Sequence, residues 1–190
     1  MTTEITEQFQ RVLDFLASST PQVLFVTGSA GTGKSTLIEV MRNELDKNLV
    51  VVAPTGVAAL NIRGQTIHSL FQFPPGPQPR ARRVNGNARE VLKQMDILVI
   101  DEISMVRADL LDSIDDALRL NSDYPDISFG GKTIVMIGDL FQLPPVVTSE
   151  DEQNLFRTYY ESPYFFSAFA LAESSINTIT LTESFRQPDP

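Results

Sequence analysis

Cysteine and tryptophan are both missing from this sequence of 190 residues, and it has a single histidine, His68. Without thiols the chain can build neither a disulfide framework nor a thiolate zinc centre, and one imidazole cannot form a histidine-rich metal site. Cations are scarce too: 15 Lys and Arg stand against 24 Asp and Glu, a formal net charge of -9. That balance excludes a protein that coats nucleic acid through a broad basic surface, although it leaves room for a local groove. No apolar run reaches membrane-span length, and the opening segment carries Glu4, Glu7, Arg11 and Asp14 where a signal peptide needs an apolar stretch. A soluble protein of the cytosol is expected, or of the nucleus or mitochondrion in a eukaryote.

What is present suits one globular domain, with 42% hydrophobic and 21% charged residues. Five apolar, β-branched runs at 23–27, 49–53, 97–100, 133–137 and 176–181 have the character of buried strands. Helical stripes separate most of them. Phe9, Val12, Leu13 and Leu16 form one; Val106, Leu110, Leu111, Ile114 and Leu118 form another, whose opposite face carries Asp109, Asp112, Asp115 and Asp116. Strands alternating with helices predict an α/β fold, a mainly parallel sheet with helices on both faces. The prolines from Pro74 to Pro79, followed by Arg80, Arg82, Arg83 and Arg89, read as an exposed loop or small insertion at about 73–89. Glu150, Asp151, Glu152 and Glu161 collect negative charge further on, and on charge alone both clusters are as well explained by solvated loops.

In such a sheet, ligands gather beyond the carboxyl ends of the strands. The first run leads into Gly28-Ser29-Ala30-Gly31-Thr32-Gly33-Lys34-Ser35, the G-x-x-x-x-G-K-[ST] pattern whose backbone N–H groups and helix N-terminus cradle a nucleotide triphosphate, a P-loop NTPase signature. The phosphate-binding set runs from Gly28 through Thr36. Lys34 adds a full charge, and Ser35 is expected to hold Mg²⁺. The third run ends in Asp101-Glu102: Asp101 suits the other side of the metal, and Glu102 suits a base for the attacking water. Gln142 follows the fourth run, where a neutral amide can sense the γ-phosphate. Arg186 follows the fifth, where a guanidinium can meet charge developing on the transferring phosphoryl group.

Further segments complete a set: Ala53-Pro54-Thr55-Gly56-Val57-Ala58-Ala59-Leu60, Gln65-Thr66-Ile67-His68-Ser69, Ile103-Ser104-Met105 after the acidic pair, Phe129-Gly130-Gly131, Gly138-Asp139-Leu140-Phe141-Gln142-Leu143-Pro144-Pro145 and Leu181-Thr182-Glu183-Ser184-Phe185-Arg186-Gln187. In this order, over nearly the whole chain, the set resembles the Pif-one (petite integration frequency) DNA helicases, relatives of RecD within superfamily one. The resemblance implies a RecA-like motor lobe over 1–190 that uses ATP and Mg²⁺, moves 5′ to 3′ on single-stranded DNA and opens duplex or forked DNA. It implies a second RecA-like lobe in a longer chain, and a monomer is expected. A glutamine near the start of such helicases recognises adenine; Gln8 and Gln10 both fit, with Gln8 preferred. Thr55, Gly56, Thr66 and His68 match stretches that grip single-stranded DNA through its phosphates, which small hydroxyls and helix-start N–H groups can do without many lysines. The 73–89 insertion lies where the family acts near the strand-separation point. Ser128 departs from a proline often found before the Phe-Gly-Gly segment, with no consequence for catalysis. Two other readings stay open: another P-loop ATPase, such as a RecD-type subunit or a small-molecule kinase, and a nucleotide- or DNA-binding module without turnover.

Overall fold

A computed structural model of the chain describes residues 5–77, 80–172 and 174–183. Six strands, β1 (Val23–Gly28), β2 (Leu49–Ala53), β3 (Gln65–Thr66), β4 (Ile97–Ile100), β5 (Thr133–Gly138) and β6 (Ile176–Leu181), form one sheet in the order β3-β2-β4-β5-β1-β6. Every pairing is parallel, so the α/β expectation holds. Side chains alternate across a strand, and here the alternation divides two cores. Leu24, Val26, Val51, Val99, Val135 and Ile137 face a layer built from helices α1 (Glu7–Leu16), α2 (Lys34–Glu44) and α3 (Gly56–Asn61). Val23, Phe25, Val52, Leu98, Ile100, Ile134 and Met136 face the other layer, from α4 (Ile67–Phe71), α5 (Asn87–Gln94), α6 (Ala108–Leu120) and α7 (Glu150–Tyr159).

The Phe9, Val12, Leu13 and Leu16 stripe is the buried face of α1, capped by the Thr6 hydroxyl, which accepts from Phe9 N. Two features depart from the sequence expectation. β6 is an edge strand whose Ile176, Asn177, Thr178 and Thr180 are exposed, rather than a buried one. β3 has only two residues, both half-buried and polar, and so gives no apolar run. On the acidic face of α6, Asp109 and Asp115 are buried with partners: Asp109 takes the Arg107 guanidinium fork and Asp115 accepts from Arg119 and the Phe129 N–H. Asp112 accepts from the Tyr160 hydroxyl and Ala170 N. Among the described residues no helix is long and apolar enough to cross a membrane.

Candidate nucleotide and nucleic-acid sites

β4, β5 and β1 are consecutive in the sheet, so their carboxyl ends open onto one cleft. At the end of β1, Gly28 is confined: a Cβ there would meet Thr32 Oγ1 at 2.5 Å and the Leu181 carbonyl oxygen at 2.8 Å. The Thr32 hydroxyl closes the turn by donating to Ser29 O at 2.9 Å. Gly33, at φ 82°, is the left-handed residue from which α2 begins, so the N-terminus of that helix faces the loop. Lys34 Nζ donates to Gly28 O at 2.7 Å and Ser29 O at 2.9 Å, holding the ammonium over the loop. A cleft of about 460 Å³ is lined by residues 30–31 and 33–36 of this loop together with Glu102 and Gln142.

Asp101 is buried at the end of β4, and burial foremost raises its carboxyl to about 6, against the Glu102 N–H and the Lys34 charge, which lower it. It is still mostly ionised at neutral pH and gains from a cation. Glu102 sits at φ 51°, ψ 43°, a left-handed conformation that costs a non-glycine residue on the order of 1 kcal/mol or more and so marks a site with a reason to hold it. Gln142 is exposed and its Nε2 donates to Asp139 Oδ2 at 3.2 Å, which leaves the amide oxygen directed by a buried carboxylate. Asp139 Oδ1 also accepts from Phe141 N at 3.0 Å. Asp139 thus fixes the turn that carries Gln142, a role that no pattern in the sequence separates from that of an ordinary turn aspartate.

Among the described residues no three His, Cys, Asp or Glu side chains gather as a self-sufficient metal site. Mg²⁺ held with a nucleotide asks one or two protein oxygens and takes the rest from phosphates and water. The Ser35 hydroxyl and the cation-seeking Asp101 carboxylate are hard oxygen donors of that kind. At the far side of the loop the two glutamines differ. Gln8 exchanges two hydrogen bonds with Thr182, just past β6: its Nε2 donates to Oγ1 at 2.6 Å and its Oε1 accepts from Thr182 N at 2.9 Å. Gln10 turns instead to Asp14 on its own helix. Leu181 pairs with Gly28, so Gln8 is the one tied beside the phosphate loop. Arg186 lies outside the described residues.

On the other half of the sheet, Ala53 pairs with Thr66, which sets two helix starts side by side. Thr55 caps α3 by accepting from Ala58 N, and Thr66 caps α4 by accepting from Ser69 N. Both hydroxyls are therefore engaged as caps, while Gly56 is exposed and a Cβ there would meet nothing. His68 is half-buried, edge-on to Phe73 at 6.3 Å, and burial followed by the Arg107 charge lowers its pKa, both favouring the neutral ring. The basic loop is tied to the domain rather than wholly exposed: Val84 is buried, Arg82 donates to Gln72 O at 2.8 Å, and Val84 N donates to Asn121 Oδ1 at 3.0 Å.

Fold and cleft together define a P-loop nucleotide-binding α/β domain. Residues 1–190 match the PIF1-like helicase family, and the chain belongs to it. It is 40% identical over 183 residues to the ATP-dependent DNA helicase PIF1 of Emericella nidulans, covering 89% of this chain and 23% of that protein. To the ATP-dependent DNA helicase RRM3 of Saccharomyces cerevisiae it is 33% identical, covering 97% of this chain and 26% of the relative. The structure of a Bacteroides Pif1 helicase in complex with ADP-AlF3 and ssDNA superposes with a TM-score of 0.89 at 40% identity, covering 99% of this chain and 44% of that one. The chain thus spans about a quarter of the two curated relatives and less than half of the solved one.

Proposed function

We propose that residues 1–190 are the first RecA-like lobe, with a small insertion at about 73–89, of an ATP-driven helicase that moves 5′ to 3′ on single-stranded DNA and opens duplex or forked DNA. The observation that carries this reading is the convergence of the β1, β4 and β5 ends on one cleft lined by Lys34, Ser35, Glu102 and Gln142. The complex of the Bacteroides relative with ADP-AlF3 and ssDNA supports both ligands. In this reading the backbone from Gly28 to Thr36 and the Lys34 ammonium bind the phosphates, and Gln8 meets adenine. Ser35 and Asp101 would hold Mg²⁺, which would supply positive charge to offset that of the phosphates. Glu102 accepts the proton of the water that attacks the γ-phosphorus, while the bond to the ADP oxygen breaks. Gln142, steadied by Asp139, contacts the γ-phosphate, and Arg186 meets the charge that develops there. The helix starts at Thr55-Gly56 and Thr66-Ile67 present backbone N–H groups to DNA phosphates, and His68 anchors that segment on Phe73. A second lobe, in a longer chain, closes the cleft and turns hydrolysis into movement.

The test is unwinding by the full-length protein of duplexes bearing either a 5′ or a 3′ single-stranded tail. ATP-dependent opening of the 5′-tailed duplex alone, abolished by Lys34→Ala, is the expected result. Preference for the 3′ tail, or no opening of either, would overturn the reading.

A further inference from the structure

One cation outside the cleft ties the nucleotide side of the domain to the DNA side. Arg107 lies five residues beyond Glu102, in the segment that leads from β4 into α6. Its guanidinium forks onto Asp109, with Nε 2.9 Å from Oδ1 and Nη2 3.1 Å from Oδ2, and Nη1 donates to Glu152 Oε1. Glu152 is the third residue of α7, the helix that follows the Gln142 turn. Its other oxygen accepts from Thr148 N at 2.8 Å and Ser149 N at 3.2 Å, closing a capping box with the Ser149 hydroxyl. Asp139 therefore fixes the near end of the 140–149 segment, and the Arg107–Glu152 pair fixes its far end. Toward the DNA side, Arg107 Nη2 reaches the Gly76 carbonyl oxygen at 3.5 Å, the outer limit of a hydrogen bond. Gly76 lies in the insertion that starts at Phe73, on which His68 packs, and the Arg107 charge is felt at His68 itself.

We propose that Arg107 is a positioning residue that couples DNA engagement at the Thr66–His68 and 73–77 segments to the placement of Gln142. The proposal rests on the helicase reading above. Arg107 touches neither nucleotide nor DNA in that reading; it bonds the helix that follows the Gln142 turn and the loop against which His68 packs. The pair with Asp109 and Glu152 is largely withdrawn from water, with the arginine side chain 17% exposed, so salt and solvent weaken it little. A guanidinium is required because three acceptors at fixed angles need its planar fork, which an ammonium does not offer.

The experiment measures ATP turnover by the full-length protein with and without a saturating oligo-dT strand, alongside strand affinity by fluorescence anisotropy and melting temperature. Arg107→Gln and Glu152→Gln are expected to keep unstimulated turnover and strand affinity within about twofold, while stimulated turnover falls about 3- to 30-fold, the range for residues that carry coupling. Arg107→Lys should fall between Arg107→Gln and the unchanged protein. Full stimulation in Arg107→Gln would overturn the proposal. So would equal losses of stimulated and unstimulated turnover that follow the melting temperature, since that is the mark of a merely structural residue. If the unchanged protein shows no stimulation at all, the helicase reading itself fails, and the coupling with it.

Discussion

Glu102 combines a left-handed backbone with a place on the cleft wall, beside a buried carboxylate whose pKa is raised to about 6. Strain at one residue of an otherwise regular strand end is tolerated where the surroundings fix a reacting group. Glu102→Gln keeps the shape and loses the base. In the full-length protein, affinity for a fluorescent ATP analogue should stay unchanged while single-turnover hydrolysis slows by about 10²–10⁴-fold; unchanged hydrolysis would remove Glu102 from the role. Asp139 acts one step further out. Asp139→Ala releases both the Phe141 N–H and the Gln142 amide, and misplacing a group by about 1 Å can cost on the order of 10²-fold in rate. A loss of that order in turnover with nucleotide affinity retained is expected, and retained turnover would show that the Gln142 turn holds itself. At this scale the gathering of Lys34, Ser35, Glu102 and Gln142 on one cleft was legible, because each lies in the segment that follows an apolar run. Arg107, Glu152 and Thr182 were not, because they pair with each other or with Gln8 across long stretches of sequence; Asp139 was not, because its bonds are those of any turn aspartate.

The phosphate loop is an element held by contact as much as by its own turn. Gly28→Ala would press a methyl group onto the Thr32 hydroxyl and the Leu181 carbonyl, and the second of these is backbone within the β1–β6 pairing. Overpacking of this kind costs about 1–3 kcal/mol, which denaturant unfolding should show; unaltered stability would mean that the β6 edge yields freely. For α7 the corresponding device is the capping box. The Thr148 N–H, then the Ser149 N–H and the Arg107 charge, hold the Glu152 carboxyl below its ordinary 4.5, with burial opposing. A lowered folded value means that the stabilisation is full above pH 4.5 and lost as pH falls through the folded value. The melting-temperature gap between the unchanged protein and Glu152→Gln should therefore be constant above that pH and close below it. A gap that persists into strong acid would contradict the assignment. Elements with an apolar stripe, such as α1 and the four inner strands, were plain in the sequence. α5, with Leu92 as its one buried residue, and the two polar residues of β3 were not. The partners of the α6 carboxylates were not plain either, because periodicity marks a polar face without telling whether arginines and backbone N–H groups fill it.

Across the whole molecule, the sheet places nucleotide chemistry at β1, β4 and β5 and the paired helix starts of the DNA reading at β2 and β3, joined through one carboxyl edge. The net charge of -9 is compatible with DNA binding there, since backbone N–H groups at helix starts rather than a basic surface make the proposed contacts. Exposed Phe141 and Leu143 flank Gln142 at the mouth of the cleft, a surface suited to cover by the proposed second lobe. The most direct measurement is ATP hydrolysis with and without single-stranded DNA, run on this 190-residue chain and on a chain extended past Pro190. Strong stimulation by DNA in the longer chain, and little in the shorter, is the expected result. Equal, DNA-independent turnover in both would contradict the assignment of this domain as one lobe of a DNA motor.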